Sequence, residues 1–150
     1  MEQRRKIVPP VYLLLTLIAM VGFHRFLPIE WFIAKPYSYF GIALIVLGCL
    51  LTIPAAIAFR KAGTPVVPFE PSTALVTSGA FRFTRNPMYL GMILLLIGVG
   101  LLFGTLGSLI PIPFFVWIIT TRFIRGEERF MQAIFGDEYL AYKKRVRRWL

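Results

Sequence analysis

The sequence predicts an all-α integral membrane protein of about four transmembrane helices, the last two a tight helical hairpin, followed by a cytoplasmic amphipathic C-terminal helical segment. Three observations carry this. Hydrophobic residues make up 57% of the 150 residues and charged ones only 16%, whereas soluble domains average about 45–50% apolar and about 25% charged. The apolar residues fall into long uncharged runs. The basic residues gather at the ends of those runs, so the net charge of +10 reads as membrane topology, and nucleic acid is not expected as a partner.

Taken in order, Met1 to Lys6 is a basic head with Arg4, Arg5 and Lys6. Pro9-Pro10 then opens an apolar run, at the helix position where a missing N–H costs little. Residues 9–26 are read as the first span. No small-residue cleavage site follows it, and a cleavable signal peptide is not expected. Leu27 to Pro36 forms a loop, in which Trp31, with Tyr37 and Tyr39 beyond it, suits an interfacial aromatic belt. Tyr37 to Phe59 gives roughly 34 Å of uncharged helix, enough to cross with some tilt. On it Gly41 and Gly48 share a face that would let a neighbouring helix come close, and Pro54 would kink it near its end. Cys49 reads as a packing residue and His24 as an interfacial one. With one cysteine and one histidine, neither an internal disulfide nor a metal site is expected.

Residues 61–87 break the hydropathy with glycines, prolines and arginines. Val66, Val67, Phe69, Leu75, Val76, Phe81 and Phe83 give this loop apolar anchors that a disordered linker lacks. Pro87 to Thr121 is uncharged and, as one helix, would reach roughly 52 Å. That is too long for one ordinary span, and Gly104, Gly107, Pro111 and Pro113 punctuate it. The economical reading is a hairpin over 88–121 turning near 104–108. From Arg122 the apolar residues recur at helical spacing between charges. Gly136 should end that helix, and Asp137 can cap the next. The whole is one membrane domain: an N-terminal helical hairpin (1–60), a cytoplasmic loop (61–87), a transmembrane hairpin (88–121) and C-terminal helices (122–150).

Charge counting orients it. Of seventeen basic residues, the head holds three, the stretch from Arg60 to Pro87 four and the tail eight. Four spans put all of these on one side, which the positive-inside rule makes the cytoplasm. Both termini are therefore expected there, in a multi-pass protein of a prokaryotic cytoplasmic membrane. The basic tail would also attract anionic head groups of membrane lipids.

Two polar groups then face each other at one membrane surface. One is the loop with Arg82, Thr84, Arg85, Asn86 and Tyr89. The other is the Glu127-Glu128 pair. Carboxylates so near the membrane are costly unless paired or functional. A cationic ligand would suit them, with backbone freed by Gly79, Pro87 and Gly91 holding its polar edges. Equally, Arg82, Arg85 and Arg122 could pair with the two glutamates as structural cement. Residue chemistry alone leaves both readings open.

The segment LVTSGAFRFTRNPMYLG (75–91), followed by GEERFMQAIFGDEYLAYKKRV (126–146), resembles the isoprenylcysteine carboxyl methyltransferase family and the related phospholipid methyltransferases. The shared order is a Val-Thr-Ser-Gly-aromatic stretch, Arg-x-Pro-x-Tyr-x-Gly, a helical hairpin, a Glu-Glu pair and Phe-Gly-x-Glu-Tyr with a basic end. The match covers roughly residues 64–147. The resemblance implies a membrane-embedded transferase that uses S-adenosylmethionine, held at the cytoplasmic face. By position, Thr73, Ala74, Leu75, Val76, Phe81, Asn86, Pro87, Met88 and Tyr89 would line the cofactor. Glu127, with Glu128, would hold its amino or ribose groups, and both are the candidate catalytic residues. Arg122 and Arg125 are the candidate substrate-binding residues. Asn86 stands where the family has histidine, and Phe81 where it has tyrosine. Asparagine can hydrogen-bond but cannot act as a base near neutral pH.

The implied chemistry is in-line methyl transfer to a lipidic or prenylated acceptor, which could enter sideways between spans. A carboxylate acceptor needs no general base. An amine acceptor must lose a proton, for which Glu127 or Glu128 would serve. Two rivals remain at this level. One is an NADPH-dependent membrane reductase of sterol-reductase-like architecture, and the other is a non-catalytic membrane scaffold.

Overall fold

A computed structural model describes residues 8–64 and 73–150. The basic head (1–7) and the stretch 65–72, with the anchors expected at Val66, Val67 and Phe69, lie outside the described residues. Five α-helices follow one another: α1 (Pro9–Phe26), α2 (Phe40–Lys61), α3 (Pro87–Phe103), α4 (Pro111–Ile118) and α5 (Arg125–Arg145). No strand occurs among the described residues. A single bridge ties Trp31 to Thr105. Three stretches are long and apolar enough to cross a membrane: Pro9–Phe26, Tyr37–Lys61, and the helical run that begins at Leu106. Pro87–Phe103 is apolar but shorter, at 17 residues.

Prolines set the helix starts. Pro9, Pro87 and Pro111 each sit in the first turn of their helix, where no N–H is needed and φ is already helical. Helix α2 continues through Pro54 to Lys61. Helix α3 ends at Gly104, which takes the left-handed conformation (φ 72°) that glycine adopts without steric cost. A short 3₁₀ turn over Leu106–Leu109 then reverses the chain into α4. The hairpin turn therefore lies where the glycines and prolines place it.

Helices α2 and α3 lie in close contact along their lengths. Gly41 faces the Gly98 backbone, and Gly48 faces that of Gly91. A Cβ at any of these four would collide with backbone or Thr52, so glycine is what permits the approach. The main core joins α1, α3 and α4 through Met20, Leu96, Ile112, Phe115 and Ile119. At the end opposite α5, His24 Nδ1 lies 3.0 Å from Thr105 Oγ1. Its ring stacks on Phe103 at 4.6 Å. His24 is thus a structural contact of the turn.

Between α4 and α5 the helix widens into a π-helical turn over Ile119–Ile124. There Thr120 and Thr121 donate to the carbonyls of Val116 and Trp117 at 2.6 and 2.7 Å. Such back-bonding bends helices, and the extra residue re-aims every side chain beyond it. Charges begin here, with Arg122 and Arg125. Gly136 then breaks α5 with non-helical torsions (φ 48°, ψ −122°). The second arm folds back and brings the C-terminal residues against the 81–89 segment.

Candidate functional site

The site is assembled from the 73–89 segment, both arms of α5 and the tail. Thr73 Oγ1 donates to the Gly63 carbonyl at 3.0 Å, and the Ala74 N–H to Thr64 Oγ1 at 3.2 Å. These bonds tie the segment to the end of α2. Leu75 packs on Tyr139, Tyr142 and Val146, and Val76 is half-buried. Phe81 is buried against Phe59, with ring centroids 5.2 Å apart, and its carbonyl accepts from the Tyr142 hydroxyl at 2.7 Å. Burial, then the neighbouring Tyr139, pushes the Tyr142 phenol up to about 12, so it stays a donor at neutral pH.

The tail is clasped by the turn before α3. The Arg85 N–H donates to the Arg147 carbonyl at 2.9 Å. The Arg148 carbonyl accepts from both Thr84 Oγ1 (3.1 Å) and Asn86 Nδ2 (3.0 Å). Thr84 and Asn86 are buried, so these bonds satisfy groups that would otherwise be costly. Asn86 therefore spends its side-chain donor on the tail backbone. Met88 presents its carbonyl to Thr52 Oγ1 at 3.3 Å, and Pro87 is buried at the helix start.

The two glutamates have different surroundings, because neighbours on a helix point about 100° apart. Glu128 receives two hydrogen bonds from Arg148, at 2.9 and 2.7 Å. Arg85 Nη1 lies 2.9 Å from its Oε1 as an ion pair, with both side chains only 10% exposed. Burial works to raise the Glu128 carboxyl. The Arg148 hydrogen bonds and the Arg85 charge outweigh that, and hold it below the ordinary carboxylate range. Glu127 accepts from the buried Tyr89 hydroxyl at 2.6 Å and forms no ion pair among the described residues. Burial raises its carboxyl, the Tyr89 bond opposes this, and Glu128 adds repulsion; the net direction is up. Glu128 is thus saturated by cations, while Glu127 is a half-buried carboxylate with a single neutral partner.

A cleft of about 460 Å³ opens beside this cluster, lined by Thr121, Arg125, Glu128, Arg129, Gln132, Lys143 and Arg148. Among the sequence-predicted residues the structure brings together Asn86, Tyr89, Glu127 and Glu128 around the Arg85–Glu128–Arg148 bridge, while the Phe81 carbonyl is held by Tyr142. Thr73 and Ala74 sit instead at the end of α2. Arg82 and Arg122 are exposed and pair with neither glutamate. Arg125 lines the cleft. Arg148 is the residue that sequence reasoning missed. It lies in a run of five basic residues within six positions, and nothing in that run distinguishes it from its neighbours.

The chain matches the phospholipid methyltransferase family over residues 36–138. It is 30% identical over 131 residues to protein-S-isoprenylcysteine O-methyltransferase B of Arabidopsis thaliana, covering 86% of this chain and 64% of that protein. It is 36% identical over 119 residues to the protein-S-isoprenylcysteine O-methyltransferase of Saccharomyces cerevisiae, covering 73% and 50%. A shorter uncharacterised protein of Haemophilus influenzae is 38% identical over 63 residues, its full length and 42% of this chain. The chain spans just under two thirds of the Arabidopsis relative and half of the yeast one.

Proposed function

Because the chain belongs to the phospholipid methyltransferase family, we propose that it is an S-adenosylmethionine-dependent methyltransferase of the membrane, acting on a lipidic or prenylated acceptor. The observation that carries this reading is the difference between the two glutamates. A fold that needed only cement at this point would neutralise both. Here Glu128 takes two guanidinium groups, and Glu127 keeps a free oxygen and an unmatched charge beside a buried phenol. That is an anionic acceptor suited to a cationic ligand, and the methionyl ammonium or the sulfonium of S-adenosylmethionine supplies such a charge.

In this reading Glu127 and Tyr89 hold the cationic part of the cofactor. Phe81 and the backbone around Leu75 to Val76 bound the remainder of the pocket. Pro87 and Met88 shape its wall at the start of α3. The cofactor supplies a methyl group already activated on sulfur. The protein's work is then to orient the acceptor in line and exclude water. The relatives' names specify transfer to oxygen on a prenylated cysteine. For a carboxylate oxygen no proton has to move, and Glu127 acts by charge alone. For an amine acceptor, Glu127 with its raised proton affinity would take the proton. Asn86, donating to the tail, serves position rather than proton transfer. Arg122 remains the candidate contact to an acceptor anion, while Arg125, the other residue considered for that role, lines the separate cleft.

With four crossings, the arrangement that the concentration of basic residues favours, the 73–86 segment, α5 and the tail would lie together in the cytoplasm. An acceptor anchored in the bilayer would then enter beside α3 and α4. The test is a labelled-methyl transfer assay with membrane lipid extract and prenylcysteine analogues. Label in a lipid-phase product is expected. Transfer only to water-soluble acceptors, or no transfer, would overturn the proposal.

A further inference from the structure

We infer that the basic cleft between the two arms of α5 is a second ligand site, which holds the phosphate of a membrane phospholipid. Along the first arm, Arg125, Arg129 and Gln132 point to one side, within roughly 60° of each other at 100° per residue. Glu127 points roughly 160° away from Arg125 and does not line the cleft. The Gly136 break returns the second arm so that Lys143 and Arg148 close the opposite wall. The cleft therefore lies back-to-back with the Tyr89–Glu127 pair.

Its charge is unbalanced. Among the described residues the only carboxylate in the wall is Glu128, already bound by Arg148 and Arg85. Among the described residues, Arg125, Arg129 and Lys143 form no ion pair. Three cations facing one concavity repel each other, and an oxyanion between them relieves this. A phosphate fits the arrangement, with Gln132 as a further donor.

The surroundings indicate a lipid as its source. Thr121, at the membrane end of the cleft, belongs to the helix that emerges from the apolar run. One and two turns further into that run, at spacings of four and seven, Trp117 and Phe114 are each 63% exposed. Together they make an apolar strip beneath a basic cup. A phospholipid presents the same order, acyl chain then phosphate.

Native mass spectrometry of the detergent-purified full chain tests this with phosphatidylglycerol, diacylglycerol and inorganic phosphate as probes. The expected result is a one-to-one phosphatidylglycerol adduct and none with diacylglycerol. Combining Arg129→Gln with Lys143→Gln should weaken the adduct about tenfold or more. The pair Lys144→Gln with Arg145→Gln removes the same charge outside the cleft and should leave it. Equal losses in both pairs would mean diffuse attraction and overturn the proposal. So would inorganic phosphate binding as tightly as the lipid, or one-for-one displacement by S-adenosylmethionine, which would make the cleft a cofactor-carboxylate site. Lipid retention is read without turnover, so its failure is separable from failure of the methyltransferase reading.

Discussion

Glu128→Gln should act on stability. The side chain sits between Arg85 and Arg148, and both it and Arg85 are 10% exposed. The amide keeps the volume but removes the charge, leaving the Arg85 guanidinium buried without a counter-ion. Removing one partner of a buried ion pair costs about 3–5 kcal/mol. Arg148 is 36% exposed and can rehydrate, so the lower end applies, about 3 kcal/mol. For a chain of this size that is roughly 6–12 °C in Tm. The assay is thermal unfolding of the detergent-purified protein, followed by near-ultraviolet circular dichroism. Glu127→Gln is the control: it loses about 1–2 kcal/mol at most, the share of one charge-assisted bond to Tyr89, and is offset by removing the repulsion with Glu128. An unchanged Tm for Glu128→Gln, or a larger loss for Glu127→Gln, would refute the division of labour between the two glutamates.

The same bridge sets a pH dependence. The Glu128 carboxyl is held below its ordinary 4.5, so its stabilisation is complete above that value and is lost as pH falls through the depressed folded value. Glu127, whose carboxyl is raised, works in the opposite sense, so the readout is the difference between wild type and Glu128→Gln: their Tm gap should narrow on acidification below about 4.5. Asn86→Asp replaces the donor to the Arg148 carbonyl with a carboxylate that cannot give that bond. It should cost about 1–3 kcal/mol and speed proteolysis of the tail. Gly48→Val sets a side chain against the Gly91 backbone, and at about 1–3 kcal/mol should lower the folded yield in membranes measurably by fluorescence-detected size exclusion. Gly22→Val, with open space around it, should not.

Much of this architecture was legible in the residues. Pro9, Pro87 and Pro111 open helices because proline is preorganised for that position, and Gly104 and Gly136 mark a reversal and a break. Gly41 and Gly48 share a face, which announced a close neighbour, though not that Gly91 and Gly98 would answer from α3. The π-helical turn at Ile119–Ile124 left no signal, because Thr120 and Thr121 fit an ordinary helix as well as a widened one. The site was half legible. Position along the chain identified Tyr89, Glu127 and Glu128, but adjacent glutamates look alike until a fold gives each its partners. The arginines expected to cement them included Arg82 and Arg122, which are exposed, and omitted Arg148, which arrives only through the Gly136 break and the backbone clasp to Thr84 and Asn86.

Cofactor binding tests the central claim most directly. Calorimetric titration of the purified protein with S-adenosylmethionine, and separately with NADPH, should give heat only with the former. Glu127→Gln should weaken it by about 1–3 kcal/mol, the worth of a buried hydrogen bond to a charged group, in a protein that still folds. Binding of NADPH alone, or S-adenosylmethionine affinity unchanged by Glu127→Gln, would contradict the account.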